Sequence, residues 1–323
     1  MTADFQALVS RHYALDRMGN QQPLRLLLQP VDHFYHQNIE ALAILAEHVH
    51  EQSNLPVCRL LMNREGSLRT VFGSQPEVLT LLPDGPKESL NLGGDLATFH
   101  LLTRGLDPRS FPEAEGYQRT DGLAASLDAL ENKYDAIGRE GAKSDFERLF
   151  FQSFPYFSGC GENAVQYLVD CDLDHAREPL VVTHFRFAGR ASLYPENPAT
   201  WVADERSRDL AEWLRLLVWT RDGGEVIDAA QEALDAYEAV FPLTTACAAR
   251  LIGRLLFPLS YVECCERYLF GSEYEDRSLL TDVMSVNEQK TETYEQILTW
   301  LALRYSQLDV PEWLMRPRRT AVL

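Results

Sequence analysis

The chain has few basic residues for a protein of 323 residues. Lysine and arginine number 30 against 48 aspartates and glutamates, which gives a formal net charge of -18. A surface that binds nucleic acid needs clustered lysines and arginines to contact the phosphates. One short basic cluster occupies residues 316–319, where a solvated tail is the ordinary explanation. We therefore expect no nucleic-acid partner.

The sequence also lacks cysteine pairs and long apolar runs. Its six cysteines include no C-x-x-C pair, and the adjacent Cys264 and Cys265 are poorly placed to bind one zinc ion. No apolar run approaches the roughly 18 residues of a membrane span, and residues 1–15 lack the pattern of a secretion signal. We expect reduced thiols, no membrane span and synthesis in the cytoplasm.

What the sequence does contain is a large apolar fraction, 46% of all residues, arranged with two different periods. Before residue 83, short segments predict a hairpin within residues 10–30 and strands at 24–30, 56–61, 68–72 and 77–82, with one helix from Asn38 to Val49. After residue 83 the apolar spacing is helical. The cluster Pro83-Asp84-Gly85-Pro86 predicts a hinge between a sheet-rich lobe, residues 1–83, and a helical lobe, residues 84–323. The fold class is α+β.

Helices are expected in the second lobe over residues 123–137, 146–154, 209–215, 226–240, 244–256, 261–270 and 287–305. Pro155 is expected to end the second of them. The segment from Gly159 to Ala164 matches the letters of a dinucleotide fingerprint, G-x-G-x-x-A. An aromatic segment precedes it, however, where a true fingerprint follows a buried strand. We interpret these glycines as a turn before a helix.

Several segments of the chain together resemble one known group of proteins. They are FHLLTRG after the hinge, LDALE at residues 127–131, SFPYFSG, ENAVQYLVD, THFRF and SRDLAEWLR. The chain is similar to the kinase-like spore coat proteins of endospore-forming Firmicutes, a group related to aminoglycoside phosphotransferases and choline kinases. The resemblance covers about residues 30–270 and is sharpest between residues 151 and 215. It implies a bilobal protein kinase-like fold, with a small antiparallel-sheet amino-terminal lobe and a larger helical carboxy-terminal lobe.

The resemblance places a degenerate catalytic loop at His184, Phe185 and Arg186. Active relatives have His-Gly-Asp at these positions, and the aspartate accepts the proton of the attacked hydroxyl. An arginine cannot accept that proton. The resemblance also implies that Asp204 corresponds to the metal-binding aspartate. Ala191 stands where active relatives have an asparagine that holds the metal.

Two further residues are implied to be structural. Asp209 corresponds to a buried aspartate before Leu-Ala, and we expect it to cap its own helix. His100, in a Leu-Ala-x-x-His element, corresponds to a packed histidine. The gap from Asp204 to Asp209 is shorter than in active relatives. Residues 24–30 also contain no lysine that could hold phosphates, and no glycine-rich loop precedes them.

These losses favour a non-catalytic kinase-fold protein that takes part in spore coat assembly or structure. Such a protein would be made in the cytoplasm and then join the spore coat, with other coat proteins as partners and no cofactor. The alternative is a small-molecule phosphotransferase that uses Mg-ATP and a relocated base, for which Asp170, Asp172 and Asp174 are candidates. A third interpretation is a protein that binds a ligand without turnover, for example an amino alcohol against Trp201 and Trp213.

Overall fold

The computed structural model describes residues 3–14, 25–72, 74–83, 91–107, 109–112, 119–272 and 275–315. The chain divides into two compact units. The first unit comprises Met1–Ala114, Pro179–Asp209 and Ala233–Pro242. The second unit comprises Glu115–Glu178, Leu210–Glu232 and Leu243–Leu323. The expected division at residue 83 stays a prediction, and residues 84–90, which include Asp84-Gly85-Pro86 of the expected hinge, lie outside the described residues.

The described elements are short strands and longer helices. The strands are β1 (Leu26–Pro30), β2 (Arg59–Leu61), β3 (Arg69–Phe72), β4 (Gln75–Leu81), β5 (Val181–His184) and β6 (Trp201–Asp204). The helices are α1 (Ala3–His12), α2 (Ile39–Gln52), α3 (Leu92–Leu102), α4 (Thr120–Glu140), α5 (Asp145–Asp174), α6 (Arg190–Leu193), α7 (Ser207–Thr220), α8 (Gly224–Glu238), α9 (Thr245–Leu256), α10 (Leu259–Phe270), α11 (Arg277–Gln289) and α12 (Thr291–Arg304).

The first four strands form one antiparallel sheet with β4 at its centre. β1 pairs along one side of β4, and β2 and β3 follow one another along the other side. The side chain of Asn63 forms the turn between β2 and β3, because it accepts hydrogen bonds from the backbone N–H groups of Glu65 and Ser67. The strands expected from the alternating segments are therefore present, with ends shifted by a few residues.

The expected hairpin is wrong at its start, because residues 10–12 are the last turn of α1. Val9 in α1 and Tyr13 just after it are buried with Leu79 of β4 in one small apolar core. The Tyr13 hydroxyl also lies 2.9 Å from Oγ1 of Thr70. A packed helix thus takes the place of the first expected strand, and residues 15–24, with the expected Gly19-Asn20 break, lie outside the described residues.

α5 continues through all the residues that we expected to interrupt it. Its buried face includes Phe146, Phe150, Phe154 and Phe157. A proline inside a helix costs about 3 kcal/mol, and the burial of this aromatic face offsets that cost. The expected end at Pro155 and the expected turn at Gly159 to Gly161 are therefore wrong. A Cβ on Gly161 would lie 2.8 Å from a methyl carbon of Leu127, so this glycine allows α4 and α5 to pack closely.

The helix expected over residues 287–305 is two helices, α11 and α12, with Lys290 between them. The apolar spacing continues across the break, so the periodicity could not reveal it. Asp276 caps α11, since its carboxylate accepts the backbone N–H groups of Ser278 and Leu279. The side chain of Lys290 donates a hydrogen bond to the carbonyl oxygen of Arg221, which holds the break in place.

A substitution at Gly93 tests the closest approach of two helices in the first unit. A Cβ on Gly93 would lie 2.6 Å from the carbonyl oxygen of Ala233 and 3.0 Å from the backbone nitrogen of Tyr237, both in α8. Because these are backbone atoms, α3 and α8 would have to separate. We expect Gly93→Ala to lower the free energy of unfolding by about 1–3 kcal/mol in urea denaturation.

Gly159→Ala is the matched control, because a Cβ at that position of α5 meets nothing within 4 Å. This substitution is expected to raise the free energy of unfolding by about 0.5–1 kcal/mol, the usual advantage of alanine over glycine inside a helix. Changes of the same sign and size at the two glycines would contradict the close packing of α3 against α8.

Candidate functional site

β5 ends at His184 in a position that is closed to water. β6 pairs with it antiparallel, so that His184 lies opposite Trp201 and Val181 opposite Asp204. Every residue of the two strands is buried. A polar ring in such a place needs hydrogen-bond partners within the protein. The first residue of the degenerate loop is therefore an interior residue.

Asp209 connects β5 to α3 through its carboxylate. Its Oδ1 accepts the backbone N–H of His184 at 2.9 Å, and its Oδ2 lies 2.7 Å from Nδ1 of His184 and 3.1 Å from Nε2 of His100. All three side chains are fully buried. α7 begins at Ser207, two residues earlier than expected, so Asp209 lies inside the first helical turn. Its carboxylate binds three donors from other segments, where we expected it to cap its own helix.

Glu196 joins this group from the other side of His184. Its Oε2 lies 3.0 Å from Nε2 of His184 and accepts a hydrogen bond from Nε1 of Trp201 at 2.8 Å. Burial acts to lower the pKa of His184, but the charges of Glu196 and Asp209 outweigh burial and raise this pKa to about 10. His184 is therefore an imidazolium that donates to a buried carboxylate on each side.

His100 takes the opposite protonation state. Burial lowers the pKa of His100, so its ring is neutral, donates from Nε2 to Asp209 and accepts the hydroxyl of Tyr237 at Nδ1, at 2.8 Å. Burial also acts to raise the pKa of Asp209, but the charge on His184 and the hydrogen bonds from both histidines hold it well below its usual value. We call these five buried residues the histidine network: His100, His184, Glu196, Asp209 and Tyr237.

Asp204 is paired within the protein. Its Oδ2 accepts Nη1 of Arg208 at 3.0 Å, and its Oδ1 accepts the backbone N–H of Glu205 at 2.7 Å. That Asp204 binds a metal stays a prediction, and the contacts around Asp204 do not fit a metal ion. A Mg²⁺ ion at this carboxylate would have to displace the guanidinium and lie beside its positive charge. Within the described residues, no three His, Cys, Asp or Glu side chains are grouped so as to hold a metal ion.

The guanidinium of Arg208 also holds the main chain of the degenerate loop. Its Nε donates to the carbonyl oxygen of His184 and its Nη2 to that of Phe185, each at 3.1 Å. The ring of Tyr35 stacks on the ring of Phe185, with 3.8 Å between the ring centroids and 9° between the planes. Arg186 is partly buried, and Ala191 is exposed. At the position of the relatives' glycine, this chain therefore has an aromatic ring covered by another.

The remaining candidates from the sequence lie elsewhere. Trp201 and Trp213 are both buried, so neither presents a ring face to a cationic ligand. The three aspartates proposed as relocated bases belong to the last turn of α5. Asp172 accepts a hydrogen bond from Nη2 of Arg250 at 3.1 Å, while Asp170 and Asp174 are exposed. These carboxylates form a charged helix end.

Sequence reasoning missed three residues, Glu196, Arg208 and Tyr237. Glu196 lies in an irregular segment whose backbone pairs with residues 56–58: its N–H donates to the carbonyl oxygen of Pro56, and its carbonyl oxygen accepts the N–H of Cys58. No periodic pattern marks such a residue. Arg208 did carry a signal, because it stands four residues after Asp204 at the start of a helix, a spacing typical of ion pairs.

Comparison with known proteins assigns the chain to a family. Residues 10–301 match the protein family described as "Spore coat putative kinase YutH". The chain belongs to this YutH family. The endospore coat-associated protein YutH of Bacillus subtilis (strain 168) is 31% identical over 304 residues, which span 89% of this chain and 88% of that protein. The expected resemblance to kinase-like spore coat proteins is therefore confirmed.

Solved structures share the fold of this YutH family member. An aminoglycoside phosphotransferase from Alicyclobacillus acidocaldarius superposes with a TM-score of 0.66 and 14% identity over 88% of this chain and 87% of that chain. Spectinomycin phosphotransferase APH(9)-Ia, solved with ADP and spectinomycin, superposes with a TM-score of 0.57 and 12% identity. The match covers 95% of this chain and 99% of that chain. The expected α+β kinase-like fold is confirmed. The described part of the chain contains no helix that is long and apolar enough to cross a membrane.

Proposed function

We propose that this YutH family member is a spore coat-associated protein that uses the kinase-like fold as a structural scaffold and does not transfer phosphate. Other coat proteins are its partners, and it takes no cofactor. In this proposal the histidine network and Arg208 stabilise the fold, and the residues that correspond to a catalytic loop bind no nucleotide phosphate.

The guanidinium of Arg208 carries this proposal. In active kinase-like enzymes, the positive charge beside the metal-binding aspartate is Mg²⁺, which also neutralises the phosphates. Here a buried guanidinium within 3.0 Å of Asp204 supplies that positive charge permanently. The same group binds the carbonyl oxygens of His184 and Phe185. The ion pair is thus satisfied without a ligand, and Asp204 is not left as an uncompensated carboxylate that would attract a cation.

Three sequence losses support the same conclusion. Arg186 has a fixed positive charge where the general base would stand, Ala191 has no metal-binding atom, and β1 contains no lysine. General-base catalysis and electrostatic stabilisation each contribute roughly 10²-fold or more to an enzyme's rate. Because phosphoryl transfer depends on positioning and charge neutralisation, the combined losses predict a rate no higher than background.

We expect the purified protein to release or transfer no γ-phosphate from labelled ATP above the rate in buffer. The assay contains magnesium or manganese and a panel of amino alcohols, aminoglycosides, sugars and purified coat proteins. Arg186→Ala and Asp204→Asn variants serve as controls and are expected to give the same background. Turnover that survives Arg186→Ala and disappears in Asp204→Asn would instead identify a metal-dependent phosphotransferase.

Two further measurements separate the parts of this proposal. Mg-ATP is expected to leave the thermal midpoint unchanged, because only a ligand that binds the folded state raises it; a rise without turnover would favour a ligand-binding protein. In sporulating cells of the source organism, the protein is expected in the coat fraction of purified spores. Arg186→Ala is expected to leave the coat protein pattern unaltered, and a pattern altered by this one exchange would contradict a purely structural role for the loop.

A further inference from the structure

The second unit contains a groove that is separate in sequence from the degenerate loop. It has a volume of about 710 Å³ and lies between the start of α8, α12 and the 3₁₀ turn Glu312–Met315. Its apolar lining consists of Ile227, Trp300, Leu303, Trp313, Leu314 and Met315. Leu303 is 58% exposed and Met315 is 48% exposed. Adjoining exposed apolar side chains in a groove of this volume are typical of a binding surface. We call it the tryptophan groove.

Carboxylates predominate among the described charged residues that lie in this lining or next to it in sequence, and we call them the acidic rim. Glu295 lines the tryptophan groove directly. Exposed carboxylates also neighbour the lining residues in sequence, at Glu225, Asp228 and Glu312. Such a rim attracts a positively charged partner and repels nucleic acid or an anionic lipid surface.

One tryptophan of the groove already contacts a cation from its own chain. The guanidinium carbon of Arg304 lies 5.5 Å from the centroid of the Trp300 ring, within the range of a cation–π interaction. Tryptophan is also among the residues that contribute most to protein–protein affinity. The apolar lining therefore suits leucine-like side chains, and the carboxylate of Glu295 suits a lysine or arginine beside them.

We propose that the tryptophan groove is the docking site for a basic, apolar segment of another protein. The apolar side chains of that segment would cover Leu303 and Met315, and its positive charges would face Glu225, Asp228 and Glu312. This proposal does not depend on whether the protein transfers phosphate, because every lining residue belongs to the second unit and none to the histidine network.

A fluorescently labelled peptide that repeats Lys-Leu-Leu-Lys is the probe. We expect it to bind the full chain, with an affinity that falls as salt is raised, and to change the tryptophan fluorescence. Two control peptides of the same length carry glutamate for lysine or serine for leucine. Each is expected to bind at least about tenfold more weakly, because one lacks the charge complementarity and the other the apolar contact. Equal binding of the serine peptide would overturn the docking proposal.

Two matched variants distinguish the groove from a general attraction to an acidic protein. Leu303→Lys places a positive charge in the groove and is expected to weaken binding of the Lys-Leu-Leu-Lys peptide by about tenfold or more. Leu173→Lys introduces the same charge on α5, at a leucine that is 79% exposed and outside the groove lining. The affinity of the Leu173→Lys variant for the Lys-Leu-Leu-Lys peptide is expected to stay within about twofold of the parent's affinity. Equal weakening by both variants would mean that binding follows net charge alone, which overturns the proposal.

Two other occupants of the groove are outcomes of the same experiment. Residues 316–319 contain three arginines, so a variant that ends at Met315 is measured beside the full chain. Equal peptide binding by both supports an external partner, whereas binding only after truncation assigns the groove to the chain's own last residues. Sedimentation is expected to give the same molecular mass for the parent and Leu303→Lys. A dimer that Leu303→Lys abolishes would assign the groove to a second copy of the chain.

Discussion

Asp209→Ala is expected to lower the free energy of unfolding by about 3–5 kcal/mol, which is the cost of removing one partner from a buried ion pair. The substitution leaves the imidazolium of His184 with Glu196 as its one remaining carboxylate, and it removes the acceptor of Nε2 of His100. It also removes the acceptor of the buried backbone N–H of His184. Folded proteins of this size have a total stability of about 5–15 kcal/mol, so the effect is a large fraction of the whole.

The measurement is urea denaturation followed by far-ultraviolet circular dichroism. Asp121→Ala is the matched control, because Asp121 occupies the first turn of α4 and is exposed. Removing the carboxylate of Asp121 is expected to lower the free energy of unfolding by at most about 1 kcal/mol. If Asp209→Ala does not fold, Asp209→Asn is used, with an expected loss of about 1.5–3 kcal/mol for the lost charged hydrogen bonds. A change at Asp209 no larger than that at Asp121 would show that the histidine network does not support the fold.

Glu196→Gln is expected to lower the free energy of unfolding by about 1.5–3 kcal/mol at pH 6, and by less at higher pH. The amide keeps an oxygen acceptor but loses the charge that faces the His184 imidazolium. The folded pKa of His184 is raised to about 10, above the unfolded value of about 6.5. Stability from the charged ring is thus fully present below pH 6.5 and is lost as the pH rises through 10. The difference between the parent and Glu196→Gln should therefore narrow from pH 6 to pH 10.

Cysteines of the unfolded chain also lose protons in this alkaline range, which changes the free energy of unfolding. The comparison therefore needs a control. Burial and the charge of Glu196 raise the pKa of the Cys58 thiol to about 12, and Glu196→Gln therefore affects Cys58 as well. Both proteins are measured again with Cys58→Ala, and the narrowing is expected to remain. Glu225→Gln on the exposed start of α8 is expected to change the free energy of unfolding by no more than about 0.5 kcal/mol at any pH. A constant difference between parent and Glu196→Gln from pH 6 to pH 10 would mean that His184 is not the charged partner.

Much of the fold could be predicted from the sequence because its elements have strong periodic signals. The buried residues of α2 and of α4 recur three, four or seven residues apart along each helix. The errors arose where tertiary packing outweighed a local signal. Pro155 remains inside α5 because the aromatic face around it is buried, and Gly161 remains helical because it contacts Leu127. Neither contact is visible to reasoning that considers one segment at a time.

The candidate site was predictable only as far as the family motif extends. The resemblance implied that His184, Asp204 and Asp209 lie in one region. The structure places all three in the first unit. The partners that decide their chemistry are Glu196, which lies outside every segment that carries the resemblance, and Arg208, which lies in SRDLAEWLR but had no role assigned to it. Glu196 contacts His184 twelve residues earlier in the chain, across a loop that includes the short helix α6, and no periodicity encodes such a separation. The protonation of His184 could not be derived from the sequence, because it depends on two carboxylates that only folding brings together.

If this chain does not transfer phosphate, as we propose, the short connection between β6 and α7 would make a gain of that activity difficult in evolution. Asp204 and Arg208 are four residues apart, so the start of α7 itself brings the guanidinium to the carboxylate. A mutation that replaces Arg208 would release Asp204, but it would also take a donor from the carbonyl oxygens of His184 and Phe185. The mutation of Arg208 would therefore lower the stability of the protein before any activity could be selected. A descendant would regain a metal-binding aspartate more easily through an inserted stretch of chain that separates the two residues than through successive point mutations.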